Sequence, residues 1–248
     1  MTADATSPLR IVDTRGAWRR FFAFVQRPEL PDRAEGFSAE ALGVVAKLYA
    51  LDLLVMLALM AALALVQKLG LHLPGSVLEH AKLSPLLLGF ITVGAPIGEE
   101  LVFRSWQSGR PGHLGAALIG IPAAGVGLGL MVPASAVVAH VWEALAILVV
   151  GLALAGWCLW YWRGRPAMAW FQRHFVWFYF GATLLFAAAH LTNFIGGGSL
   201  AMLPLVLPQF IVGLMLGYVR VRFGLWADVL LHIAHNSLFM VLLLSGAS

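Results

Sequence analysis

Three short groups of residues put ionisable or strongly hydrogen-bonding side chains into stretches that are otherwise as apolar as membrane helices. The first is Gly98-Glu99-Glu100-Leu101-Val102-Phe103-Arg104. Glu100 and Arg104 are four residues apart with the acid N-terminal, the better orientation for a helical ion pair, so they can neutralise each other. Glu99 points about 100° around the helix from Glu100 and cannot share that contact. One carboxylate is therefore committed to the arginine, and the other is left free to take up and return a proton as a general base or acid. Taken alone, the same three residues could equally form a buried network that holds helices together.

The second group is Phe186-Ala187-Ala188-Ala189-His190, where an apolar helix needs a reason to carry an imidazole. In the third, His232 and Asn236 project from one face of a helix at a spacing of four residues, with His235 close by and Asp228 one turn earlier. An imidazole and an amide on one face can donate two hydrogen bonds to one point, as an oxyanion requires, although His and Asn also serve as interhelical glue. His140 and Glu143 add a further polar pair in another apolar run.

These residues must be positioned by membrane helices. The chain has 248 residues, 60% hydrophobic and 11% charged, against about 25% charged in soluble proteins. Seven apolar stretches are long enough to cross about 30 Å of hydrocarbon: 41–66, 84–106, 114–132, 137–162, 175–191, 200–219 and 225–244. None alternates apolar and polar residues as barrel strands would. The expected fold is all-α: a polytopic transmembrane helical bundle of about seven helices. A cytoplasmic arginine-rich segment, 1–40, precedes a transmembrane domain, 41–248, and the pair of helices near 114–162 separates the first polar group from the second.

Arg10, Arg15, Arg19, Arg20, Arg27 and Arg33 give that segment no resemblance to a cleavable signal peptide and place the N-terminus in the cytoplasm. Seven crossings then put Arg104, Arg110, Arg163, Arg165, Arg173, Arg220 and Arg222 on the same side, leaving Lys68 and Lys82 outside. The net charge of +4 thus reflects topology and attraction to anionic lipid, and calls for no nucleic acid. Residues 18–25 suit an interfacial helix and equally a disordered aromatic tail. Gly196-Gly197-Gly198 reads as an outer loop. Cys158 stands alone, which excludes an intrachain disulfide and a multi-cysteine metal site. The GxxxG spacings Gly125 to Gly129 and Gly213 to Gly217 read as packing within a monomer.

In this order the three groups resemble the signatures of the CAAX-protease and bacteriocin-processing family of intramembrane proteases, which includes the prenyl-protein endoprotease. Those signatures are Glu-Glu-x-x-x-Arg, Phe-x-x-x-His and His-x-x-x-Asn, here 99–104, 186–190 and 232–236, and Phe223-Gly224-Leu225-Trp226 resembles the approach to the third. The resemblance implies hydrolysis of a peptide bond in a membrane-associated substrate. Glu99 and His190 would activate a water, His232 and Asn236 would stabilise the oxyanion, Glu100 and Arg104 would form the structural pair, and Phe186 and His235 would support. It also implies a multi-pass place in the cell membrane, the bacterial inner membrane.

No cofactor is expected. Zinc on Glu99, His190 and His232 is the alternative, although the usual His-Glu-x-x-His helix is absent. The chain departs from the family pattern in the two helices between the first and second motifs, an even number that preserves the orientation of the later ones. Counted along the helices, His190 lies deeper than His232, so tilted or longer helices are needed to bring them to one depth. A proton-coupled transporter and an inactive scaffold or immunity protein are the competing functions.

Overall fold

The computed structural model describes residues 13–70, 74–131, 134–195 and 200–246, so the Gly196-Gly197-Gly198 loop lies outside the described residues. Every regular element among them is helical. In chain order these are α1 (Thr14–Gln26), α2 (Ala39–Lys68), α3 (Pro85–Gly89), α4 (Ala95–Phe103), α5 (Pro111–Gly129), α6 (Ala134–Tyr161), α7 (Ala169–Arg173), α8 (Phe175–Ala189), α9 (Leu207–Phe223) and α10 (Leu225–Gly246). Seven spans are long and apolar enough to cross a membrane, each overlapping one of the stretches expected from sequence.

The N-terminal segment does fold as an amphipathic helix. Asp13 caps α1 by accepting the Gly16 N–H at 2.8 Å. Ala17, Phe21 and Phe24 turn inward, and Phe24 meets the rings of Tyr218 and Tyr179 at 5.0 and 5.2 Å. The Trp18 indole N–H donates to the Lys47 carbonyl at 2.7 Å and ties α1 to α2. Arg15 and Arg19 face outward. The aromatic face of α1 is thus buried against the protein's own core, with the cations on its outer side.

The first polar group sits on a helix with two irregularities. A π turn, Phe90–Gly94, joins α3 to α4 and frees a carbonyl from the regular ladder. At the other end the helix stops at Phe103 rather than running to Trp106. Arg104 takes φ −133° as the C-cap, a 3₁₀ turn covers Ser105–Ser108, and Gly109 follows at φ 64°, a left-handed conformation that glycine adopts at little cost. Arg220 holds this end, donating from Nε to the Arg104 carbonyl and from Nη2 to the Ser105 carbonyl, each at 2.8 Å. These are the carbonyls a helix end leaves without partners.

Helices α8 and α10 pack on α4, α9 packs on α8, on α10 and on the 3₁₀ turn that follows α4, and α2 lies against α9 and α10. Close approach of α9 to α8 depends on Gly217, where a Cβ would stand 2.7 Å from the Tyr179 ring. That places the Gly213–Gly217 spacing at a helix contact within the monomer. Helices α5 and α6 form a hairpin that packs mainly on itself, and the strands of chain entering and leaving it meet, the Met168 N–H donating to the Gly109 carbonyl at 2.9 Å.

The arginines gather at one end of the bundle. Arg33 reaches the Gly164 carbonyl at 3.3 Å, Arg110 donates to the Arg163 and Arg165 carbonyls, and Arg222 pairs with Glu35 at 2.7 Å. At the opposite end Ile195 N–H donates to the Gly75 carbonyl at 2.9 Å. The charge asymmetry read from sequence is therefore an asymmetry of the folded molecule.

Candidate active site

Glu99 and Glu100 diverge as their spacing requires. The Glu100 side chain is fully buried, and its Oε1 accepts from Arg104 Nη1 at 2.6 Å. Glu99 keeps 29% of its side chain exposed and turns toward two imidazoles. Its Oε2 stands 3.6 Å from His232 Nε2 and 3.8 Å from His190 Nε2.

Each imidazole is held by its other nitrogen. His190 follows the last residue of α8, where a 3₁₀ turn begins, and its Nδ1 is 2.8 Å from the Phe186 carbonyl. A carbonyl only accepts, so Nδ1 carries the proton and Nε2 is left toward Glu99. His232, on α10, has Nδ1 at 2.7 Å from Glu100 Oε1, which fixes the same choice. Glu100 thus has two partners. The sequence showed the arginine, but the histidine, 132 residues away, is brought in only by the packing of α4 on α10.

Phe186 is the common wall. Its ring lies 4.6 Å from that of His190 and 5.6 Å from that of His232, and the Arg104 guanidinium stacks over it at 4.4 Å. Both histidines reach the same Glu99 oxygen, His190 from the end of α8 and His232 from within α10, so the packing of these helices brings the two imidazoles together.

The remaining third-motif residues point elsewhere. Asn236 donates from Nδ2 to the Ile91 carbonyl at 2.9 Å, in the π turn, so its amide and His232 do not converge on one point in this structure. His235 places Nδ1 2.8 Å from Oδ2 of Asp52, a fully buried residue of α2. Sequence reasoning passed over Asp52, although a lone acid within the apolar run of α2 was signal enough. It also left Asp228 without a role and placed Arg220 in a loop. Both are buried. His140 and Glu143 are exposed on α6.

Among the described residues no three His, Cys, Asp or Glu side chains are disposed as a ready metal-ligand set. What the site does contain is a half-buried carboxylate facing two oriented imidazoles, 3.6 and 3.8 Å away. At that separation a single water can bridge them.

Fold and composition together define a multi-pass membrane protein whose polar centre is built on α4, α8 and α10, with Asp52 from α2 and Arg220 from α9. The chain belongs to the Rce1-like family of type II CAAX prenyl endopeptidases, whose family model matches residues 81–238 and so takes in all three motifs. Membership agrees with the resemblance drawn from those motifs and implies a protease of the CAAX type. No curated protein and no solved structure matches the chain.

Proposed function

We propose that the protein is an intramembrane endopeptidase that hydrolyses a peptide bond near the C-terminus or membrane segment of a membrane-associated substrate, with Glu99 activating the water. The observation that carries this reading is the position of Glu99 Oε2 between the two Nε2 atoms, at 3.6 and 3.8 Å. A water held there gives one proton to Glu99 and directs the other to His190 Nε2, and its oxygen is presented to a carbonyl carbon. His232, held at Nδ1 by Glu100 Oε1, supports the oxyanion from its Nε2 side. Asn236 joins it when substrate draws the amide from Ile91. Phe186 and the Glu100–Arg104 pair hold these groups in place.

The protein acts as a monomer in the cell membrane of a bacterium, its N-terminus in the cytoplasm, with no nucleic acid and no metal required. Zinc held by Glu99, His190 and His232 is the competing chemistry.

The test uses full-length protein in liposomes and a quenched fluorescent peptide carrying a farnesylated CAAX terminus. Glu99→Gln keeps shape and hydrogen-bonding capacity but not proton acceptance, and turnover should fall about 100- to 10,000-fold with the melting curve unchanged. Parental turnover in Glu99→Gln would refute the proposal. Loss of parental activity with a strong zinc chelator, restored by zinc, would move it to the metal chemistry. Proton or solute flux across the vesicles without cleavage would favour a transporter.

A further inference from the structure

The α5–α6 hairpin, to which the catalytic reading gives no task, ends in a group of four cations. Arg110 precedes α5, Arg163 and Arg165 follow α6, and Arg33, from the segment before α2, reaches across to them. The turn Arg163-Gly164-Arg165 is gripped through its backbone. Arg110 donates from Nη2 to the Arg163 carbonyl and from Nε to the Arg165 carbonyl, the second at 2.9 Å, and Arg33 Nη2 donates to the Gly164 carbonyl at 3.3 Å. Two guanidinium groups thus hold three consecutive carbonyls, and Arg163 and Arg165 lie exposed on the turn itself.

Like charges gathered this way repel one another, and an anion relieves the repulsion. No side chain supplies it. Among the described residues the arginine–carboxylate pairs are Arg27–Glu29, Arg104–Glu100 and Arg222–Glu35, and none involves these four. Asp32, the acid beside Arg33, accepts instead from Gln172 Nε2 at 2.8 Å. Arg163 lies over the Trp160 ring at 5.1 Å and donates to the Trp160 carbonyl at 2.9 Å, whereas the Arg165 guanidinium has no hydrogen-bond partner among the described residues.

The surroundings set the depth and the form of the missing anion. The last turn of α6 exposes Trp157, Trp160 and Tyr161, rings that settle at the headgroup level of a bilayer and so bring the adjoining cations level with the phosphates. Trp162 lines two hollows beside the turn. One, of about 360 Å³, is bounded by Pro111, Trp162, Arg165, Pro166 and Met168, and the other, of about 280 Å³, by Arg110, His113, Trp162 and Arg163. Each sets arginine beside a broad ring or apolar wall. A free anion leaves that wall uncovered, but a phosphodiester that carries glycerol and acyl chains covers it. A zwitterionic headgroup brings a cation of its own toward four others, so the lipid that fits has a net negative charge.

We propose that this end of the hairpin is a binding site for an anionic phospholipid, with the phosphodiester held by Arg163 and Arg165 and the glycerol laid against Trp162, Pro166 and Met168. The planar guanidinium fork suits phosphate oxygens. Arg33 and Arg110 are positioning residues that shape the turn. The site gives the extra helix pair a role of its own and does not depend on the endopeptidase reading.

The test uses the full chain in non-ionic detergent, titrated with phosphatidylglycerol, phosphatidylcholine or inorganic phosphate. Native mass spectrometry counts bound lipid, and Tm is followed in parallel. The variants are Arg163→Gln/Arg165→Gln and, as a control that removes the same charge from the exposed face of α1, Arg15→Gln/Arg19→Gln. The parent should hold phosphatidylglycerol about tenfold or more tighter than phosphatidylcholine. The turn variant should lose about tenfold or more in that affinity, and the α1 variant less than about threefold. Inorganic phosphate should neither raise Tm as the lipid does nor displace it at equal concentration.

Equal losses in the two variants would show a diffuse field rather than a site and overturn the proposal. Equal retention of the two lipids would overturn it as well, and displacement by inorganic phosphate would make the ligand a free anion. If the double variant does not fold, Arg165→Gln, whose guanidinium has no partner in the chain to lose, carries the same comparison. Failure of that variant to fold would make the turn a structural brace and refute the site.

Discussion

Arg104 does more than neutralise Glu100. It is fully buried, its guanidinium lies over Phe186, and its carbonyl accepts from Arg220, so one residue joins α4, α8 and α9. Arg104→Ala should therefore lower stability by about 3 to 5 kcal/mol, the cost of leaving a buried partner charge uncompensated, read as a fall in Tm and expression in detergent. Glu100→Gln tests a different property. It keeps the side-chain volume but can present an amide N–H to His232 Nδ1, so kcat should fall on the order of 100-fold or more while KM holds. The sequence made the Glu99–Glu100 divergence legible because helix geometry alone dictates it. The double use of Glu100 and the pairing of Asp52 with His235 were not legible, since partners 132 and 183 residues apart meet only through packing.

At the scale of elements, seven helices could be read from hydropathy because each span is a long apolar run in a solvent that forbids other backbone structures. Their interruptions could not. The π turn at Phe90–Gly94 and the early stop at Phe103 are set by tertiary bonds to Asn236 and Arg220, which no local propensity encodes. The small residues of α9 meet α8 within the chain, and one of them gives a sharp test. In Gly217→Ala the new methyl would meet Tyr179, whose ring is fixed because its hydroxyl donates to the Leu214 carbonyl at 2.7 Å. Such overpacking costs about 1 to 3 kcal/mol, so Tm should drop without selective loss of kcat. A variant as stable as the parent would mean that α8 and α9 can separate freely.

For the whole molecule, the gathering of arginines at one end predicts its orientation. In a Cys158→Ser background, Lys82→Cys should react with an impermeant maleimide in intact cells, and Gly164→Cys only after permeabilisation. The opposite pattern would invert the topology. The bond between Met168 and Gly109 also has a consequence for how the chain could be cut. Because the entry and exit of the α5–α6 hairpin touch, residues 110–167 behave as an insert that a splice of two or three small residues could replace. The excised chain would have five crossings, keep the membrane orientation of every remaining helix and retain all three motifs, so it is expected to fold with the Glu99, His190 and His232 cluster intact.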